Sequence, residues 1–163
     1  MSQAPIAYID NITARYERLG YAPYRWFRAG EDPPFAPLEK PLARSKLGLL
    51  STSGAYVTGQ VAFHYKDDTS IRAIPSDTPA ENMRFAHLTE NYLEDPRKDP
   101  ECIVPLTALR RLAAQGSIGA LAKDYWSCMG GIYSQRRVRE ELLPQVAQRC
   151  QASAVDALLL VPM

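Results

Sequence analysis

The sequence predicts an α/β domain with a partly parallel sheet, and three observations carry that prediction. Short apolar runs suited to strands stand at Lys46–Leu50, Ser70–Ile74 and Ala157–Val161. Segments with helical periodicity fall between them, the alternation from which parallel sheets are built. The last run, Ala157-Leu158-Leu159-Leu160-Val161, is apolar without alternation, the pattern of a strand covered on both faces. The 163 residues are enough for one domain with a sizeable core. The division expected is a helix with a proline- and aromatic-rich arm over 1–45, then the α/β domain over 46–163.

Taken in order, Ile6, Ile9, Ile12, Tyr16 and Leu19 recur at spacings of three and four, which predicts an opening helix ended by Gly20. Pro23, Pro33, Pro34, Pro37 and Pro41 then exclude regular helix, leaving an extended arm that Trp26, Phe27 and Phe35 would pin to the body or to a partner. Lys46–Leu50 reads as a strand running into the small-residue turn Ser51-Thr52-Ser53-Gly54. Ser70–Ile74 reads as a strand stopped by Pro75. Residues 76–101 read as a long polar loop holding one turn of helix, and long loops in compact domains are functional or disordered. Cys102–Val104 reads as a brief strand before Pro105, which opens a helix with Leu106, Leu109, Leu112 and Ala113 on its apolar face and Gly116 at its end. Ser134 caps a further helix carrying Val138, Leu142, Val146, Ala147 and Cys150, with a kink or break expected at Pro144.

Composition excludes several classes. The formal net charge is +1, and the densest basic stretch, Arg136, Arg137 and Arg139, runs straight into Glu140 and Glu141. That is a solvated helix face, not the concentrated basic excess of a nucleic-acid binder. No apolar stretch approaches the roughly 20 residues that span a bilayer, and the first ten residues lack a signal-peptide pattern. Cys102, Cys128 and Cys150 are odd in number and far apart, as expected of reduced cytoplasmic thiols. Two histidines and three scattered cysteines do not make a metal site, and no glycine-rich nucleotide motif is present.

The last strand leaves two readings open: it docks last and completes the domain, or it leads into a further loop and helix. A resemblance bears on this choice. Lys46–Tyr56 (KLGLLSTSGAY), Asp68–Pro75 (DTSIRAIP), His87 with Asp95, Arg97 and Asp99, Pro105–Ala122, Tyr125–Gly130 (YWSCMG) and Asp156–Met163 (DALLLVPM) follow one another in the order and spacing of a known family. Over residues 22–163 the chain resembles the selenoprotein B subunits of the glycine, sarcosine, betaine and D-proline reductases. It departs from them at Asp67-Asp68 (commonly Gly-Asp), at Ile71 and Cys128 (commonly aromatic) and at Pro96 in the acidic loop.

The resemblance implies a Rossmann-like or flavodoxin-like half, incomplete at its C-terminus, with the catalytic selenocysteine or cysteine immediately after Met163. An in-frame UGA read as a stop would end the chain there. It implies reductive C–N cleavage of an amino acid or N-methylated amine with a dithiol as reductant, and a chain inactive by itself. No cofactor is expected in this chain, and a pyruvoyl group is expected on a partner subunit of the complex. Ser51, Thr52 and Ser53 can bind a substrate carboxylate through N–H and hydroxyl groups, or form a plain βα turn. Arg72, with Asp68 and Thr69, can clamp a carboxylate bidentately, or make a structural ion pair with Asp68. His87 can be a proton donor to the leaving amine, or a solvated loop histidine. Cys128 can be reactive or a small buried thiol. The alternative function is a non-catalytic module that binds a small molecule or another subunit.

Overall fold

Asp156 sets the register of the sheet. In the computed structural model, which describes residues 6–23, 27–34 and 36–163, its Oδ2 accepts the backbone N–H of Lys46 at 2.7 Å, and its own N–H donates to the Lys46 carbonyl at 2.9 Å. Lys40 adds an ion pair at 2.8 Å. These contacts align β1 (Lys46–Ser51) in parallel with β7 (Ala157–Val161), from Leu47 opposite Ala157 to Ser51 opposite Val161. A slip of one residue would turn every side chain of the strand to the wrong face.

The other edge of β1 is shared by two short parallel strands. β5 (Ala120–Leu121) pairs with its start, and β6 (Asp124–Ser127) with Leu50 and Ser51 at its end. β3 (Arg72–Pro75) closes that side, antiparallel to β6. β2 (Ala55–Val57) and β4 (Met83–Phe85) form a separate antiparallel pair. The chain is therefore α/β with a mostly parallel sheet, as the strand pattern predicts, and resembles half of a flavodoxin-like or Rossmann-like fold.

Period-2 alternation along the strands divides the core in two. Leu49, Ile74 and Tyr125 turn one way, to meet Met83 and Phe85 of β4 and Leu106 and Leu109 of α3 (Leu106–Ala114). Leu50, Trp126 and Leu158 turn the other way, onto Leu142, Val146 and Cys150 of the last helical segment. Gly48 lets that layer close, because a Cβ there would lie 3.1 Å from Leu158 and 3.2 Å from Trp126. The last segment runs as α4 (Gln135–Arg137), a π-turn (Val138–Leu142) and α5 (Leu143–Ala152). Ser134 caps it by accepting the Arg137 N–H at 3.3 Å. The expected disturbance at Pro144 takes the form of the π-turn, which absorbs the missing N–H without ending the helix.

The chain divides into two compact units, Met1–Phe35 and Ala36–Met163. In the first, α1 (Tyr8–Arg18) ends ahead of Gly20, which has φ of 82°. No residue of α1 is buried, and Tyr16 meets Tyr21 edge-on at 5.8 Å. Trp26 and Phe35, expected to pin the arm, lie outside the described residues, and Phe27 is exposed.

Three local expectations are corrected. Cys102–Val104 is not a strand. Asp99 accepts the Glu101 N–H at 3.0 Å, and with Pro100 it winds Pro100–Cys102 into a 3₁₀ turn that drops Val104 into the core. β7 is not covered on both faces, since Leu159 and Leu160 are 36% and 61% exposed on a strand paired with β1 alone among the described residues. Residues 76–101 are not a bare loop, because they hold β4, short 3₁₀ turns and α2 (Glu94–Lys98).

Candidate site at the carboxyl ends of the strands

β1, β6 and β7 run parallel, so their carboxyl ends meet on one edge, where open α/β sheets hold ligands. The turn after β1 is stitched to both neighbours. Thr52 N–H donates to Val161 O at 3.0 Å, Gly54 N–H to Cys128 O at 2.9 Å, and Cys128 N–H to Ser51 O at 3.0 Å. Met163 N–H donates to Thr52 Oγ1 at 2.9 Å, and buried Ser51 donates its hydroxyl to Ser53 at 2.8 Å. The N–H groups of Thr52 and Gly54 are thus committed to the sheet. Gly54 takes φ of 65°, and a Cβ on it would lie 2.0 Å from the Ala86 carbonyl. That close approach, with the Ala86 N–H donating to Gly54 O at 3.1 Å, brings the chain after β4 to the strand ends.

His87 arrives there by this route. It is only 8% exposed, against the expectation of a polar-loop histidine. Its Nδ1 accepts the Thr89 N–H at 3.1 Å and lies 2.8 Å from the Thr89 hydroxyl. Its Nε2 is buried and has no hydrogen-bond partner among the described residues. Burial holds the imidazole below its usual pKa, with the Glu90 carboxylate opposing that shift. Gly130 is the floor beside it. A Cβ there would lie 2.8 Å from Thr52 O, 3.0 Å from His87 Nε2 and 3.1 Å from Met163 O. Gly130 is itself exposed, while His87 Nε2 beneath it is buried.

Asp68, Thr69 and Arg72 form a second group, fully engaged in holding the 61–70 loop. The Arg72 guanidinium donates to Val61 O at 2.7 Å, Ala62 O at 3.3 Å and Ser70 Oγ at 2.8 Å, and lies 4.3 Å from the centre of the Phe63 ring. Ser70 in turn donates its hydroxyl and N–H to Asp68. Arg72 and Asp68 therefore meet through Ser70. Thr69 donates to Glu141 at 2.8 Å, and Arg137 grips the same carboxylate and the Asp67 carbonyl. Arg72 opposes Ser127 in β3–β6, which puts this loop on the same edge of the sheet.

Cys128 is buried among apolar groups, which pushes its thiol up to about 12 and leaves it protonated and unreactive at neutral pH. No group of three or more His, Cys, Asp or Glu among the described residues is placed to hold a metal. Among the described residues, no helix is long and apolar enough to cross a membrane. Sequence reasoning singled out His87 and Thr52 but missed Thr89 and the bare α-carbon of Gly130. The Gly130-Gly131 pair and a threonine two residues after a histidine were the visible signals.

Fold and edge together define an α/β domain whose strand ends form a small polar convergence around one histidine. A similar protein gives this a chemical context. The chain is 32% identical over 128 residues to D-proline reductase subunit gamma of Acetoanaerobium sticklandii, a match covering 78% of this chain and 52% of that protein. The chain spans about half the length of this relative. No family model matches the chain, and no solved structure matches it.

Proposed function

We propose that this chain is part of a subunit of an amino-acid reductase complex of the D-proline reductase kind, and that the carboxyl ends of β1, β6 and β7 form its substrate edge. The observation that carries this reading is the 32% identity over 128 residues to a named reductase subunit. Reductive cleavage of this kind breaks a C–N bond, places one hydrogen on the carbon and one on the nitrogen, and so frees an amine from an open-chain substrate or opens a cyclic one. Two electrons and two protons come from a dithiol, which becomes a disulfide. In this reading a selenolate or thiolate of the complex is the nucleophile, because the anion and not the protonated form attacks. Thr52, Gly130 and His87 come together at that edge. Asp68, Thr69 and Arg72 shape the neighbouring wall. The pyruvoyl group belongs to a partner subunit, and no residue of this chain is assigned to it. The complex would be cytoplasmic.

The test is the complete reading frame that contains this chain, expressed with its partner subunits and supplied with D-proline and a dithiol. Dithiol-dependent opening of the proline ring to an unbranched amino acid is the expected result. Absence of turnover with D-proline, glycine, sarcosine and betaine, the complex being assembled, would overturn the reading. A non-catalytic interaction module is the competing reading. It is favoured by the exposure of Tyr8, Ile9 and Tyr16 on α1 and of Leu19 just after it.

A further inference from the structure

The hydrogen bonds of His87 fix which ring nitrogen carries its proton. A backbone N–H can only donate, so the Thr89 N–H at 3.1 Å requires the Nδ1 lone pair. A neutral imidazole then bears its proton on Nε2. That N–H is buried without an acceptor among the described residues, a condition native structures rarely keep without a purpose. It faces the bare α-carbon of Gly130, and so do the carbonyl oxygens of Thr52 and Met163. One donor and two acceptors thus converge at an exposed glycine on the edge of the sheet where ligands bind.

This polarity matches a zwitterion. We propose that His87, locked as its Nε2–H tautomer by Thr89, donates a hydrogen bond to the carboxylate of a small amino acid whose ammonium group faces the Thr52 carbonyl. Burial keeps the ring neutral, so it serves as a fixed donor and not as a proton carrier. A neutral imidazole donating to a polarised oxygen is an established device in other enzymes. The choice of an amino acid as ligand rests on the reductase reading. The tautomer and the donor role rest on the geometry alone.

The experiment uses the 163-residue chain labelled with ¹⁵N and amidated at its C-terminus, so that Met163 presents a neutral carbonyl oxygen, and the ring nitrogens are resolved by long-range proton–nitrogen correlation. At neutral pH, Nε2 is expected to be protonated and Nδ1 bare. Titration with D-proline should shift the Nε2 signal saturably, acetate should do so more weakly, and pyrrolidine, which lacks a carboxylate, should leave it unmoved. His87→Gln, which keeps an N–H near the same point, should retain D-proline binding within about threefold, while His87→Leu should weaken it by about tenfold or more. Thermal melts of both variants establish that they fold. If His87→Leu does not fold, the tautomer and the titration of the parent chain decide. An Nδ1–H tautomer, an imidazolium at neutral pH, or a signal that moves with no carboxylate (solvent water alone satisfying Nε2) would each overturn the proposal. Carboxylate binding at His87 in a complex that turns over no amino acid would leave the donor role standing and remove the reductase reading.

Discussion

At the scale of single residues, the site depends on two glycines for different reasons. Gly54 needs its positive φ of 65°, and a Cβ there would also run into the Ala86 carbonyl at 2.0 Å. Backbone atoms form both sides of that contact, so no side chain can rotate away. Gly54→Ala should therefore cost more than the roughly 1–2 kcal/mol of a left-handed backbone alone. The loss should appear in denaturant melts, and His87 ring signals should shift as the 86–89 segment is pushed off the strand ends. A melt within error of the parent chain would mean that the turn does not hold that segment. Gly130 keeps its φ outside the left-handed region, and its lack of a side chain matters only for the three polar atoms facing it. The glycine in Ser51-Thr52-Ser53-Gly54 was legible as a turn signal. Its contact with Ala86, more than thirty positions away in sequence, was not, because periodicity carries no information about which loops meet.

At the scale of elements, the last helical segment and the 61–70 loop are tied by one carboxylate. Glu141 accepts from Arg137 at 2.8 Å and from Thr69 at 2.8 Å. Hydrogen bonds from Arg137 and then Thr69 hold its carboxyl down at about 2, against an ordinary 4.5. A depressed acid stabilises the fold fully above its unfolded value and loses that contribution as pH falls through its folded value. The parent chain should thus shed this part of its stability between about pH 4.5 and 2. Glu141→Gln should be less stable than the parent at neutral pH, with the gap narrowing across that window in paired melts at several pH values. A gap constant with pH would assign the effect to packing instead of charge. Sequence reading took Arg136 to Glu141 as a solvated face. It saw the charges but not that the segment starting at Ser134 lies beside the 61–70 loop, where Arg137 reaches the Asp67 carbonyl at 2.6 Å.

At the scale of the molecule, the α/β class was legible because strand-like and helix-like segments alternate, and β1 and β7 were legible as apolar runs, though not as partners. β5 and β6 were not, being two and four residues long with Trp126 and Tyr125 facing opposite ways. The candidate site was half legible, since strand ends can be read from pattern while the route that carries His87 to them is a tertiary fact. Among the described residues, both core clusters, including the half-buried side chains packed on them, draw only on residues from Leu47 to Met163. Asp156, Lys40 and Ser45, which fix the entry to β1, also fall within Ala36–Met163; Ser45 donates its hydroxyl to Lys40 O and Pro41 O. The hydrophobic stabilisation thus resides in the second unit, and that unit should fold without the first. A chain comprising residues 36–163 should melt cooperatively within about 3 °C of the whole chain, a difference worth about 1 kcal/mol or less at this size. Its His87 should keep the same Nε2–H tautomer. A larger drop in melting temperature would show that residues 1–35 contribute to the core after all, while an unchanged melt with an altered tautomer would tie the first unit to the site and not to the fold.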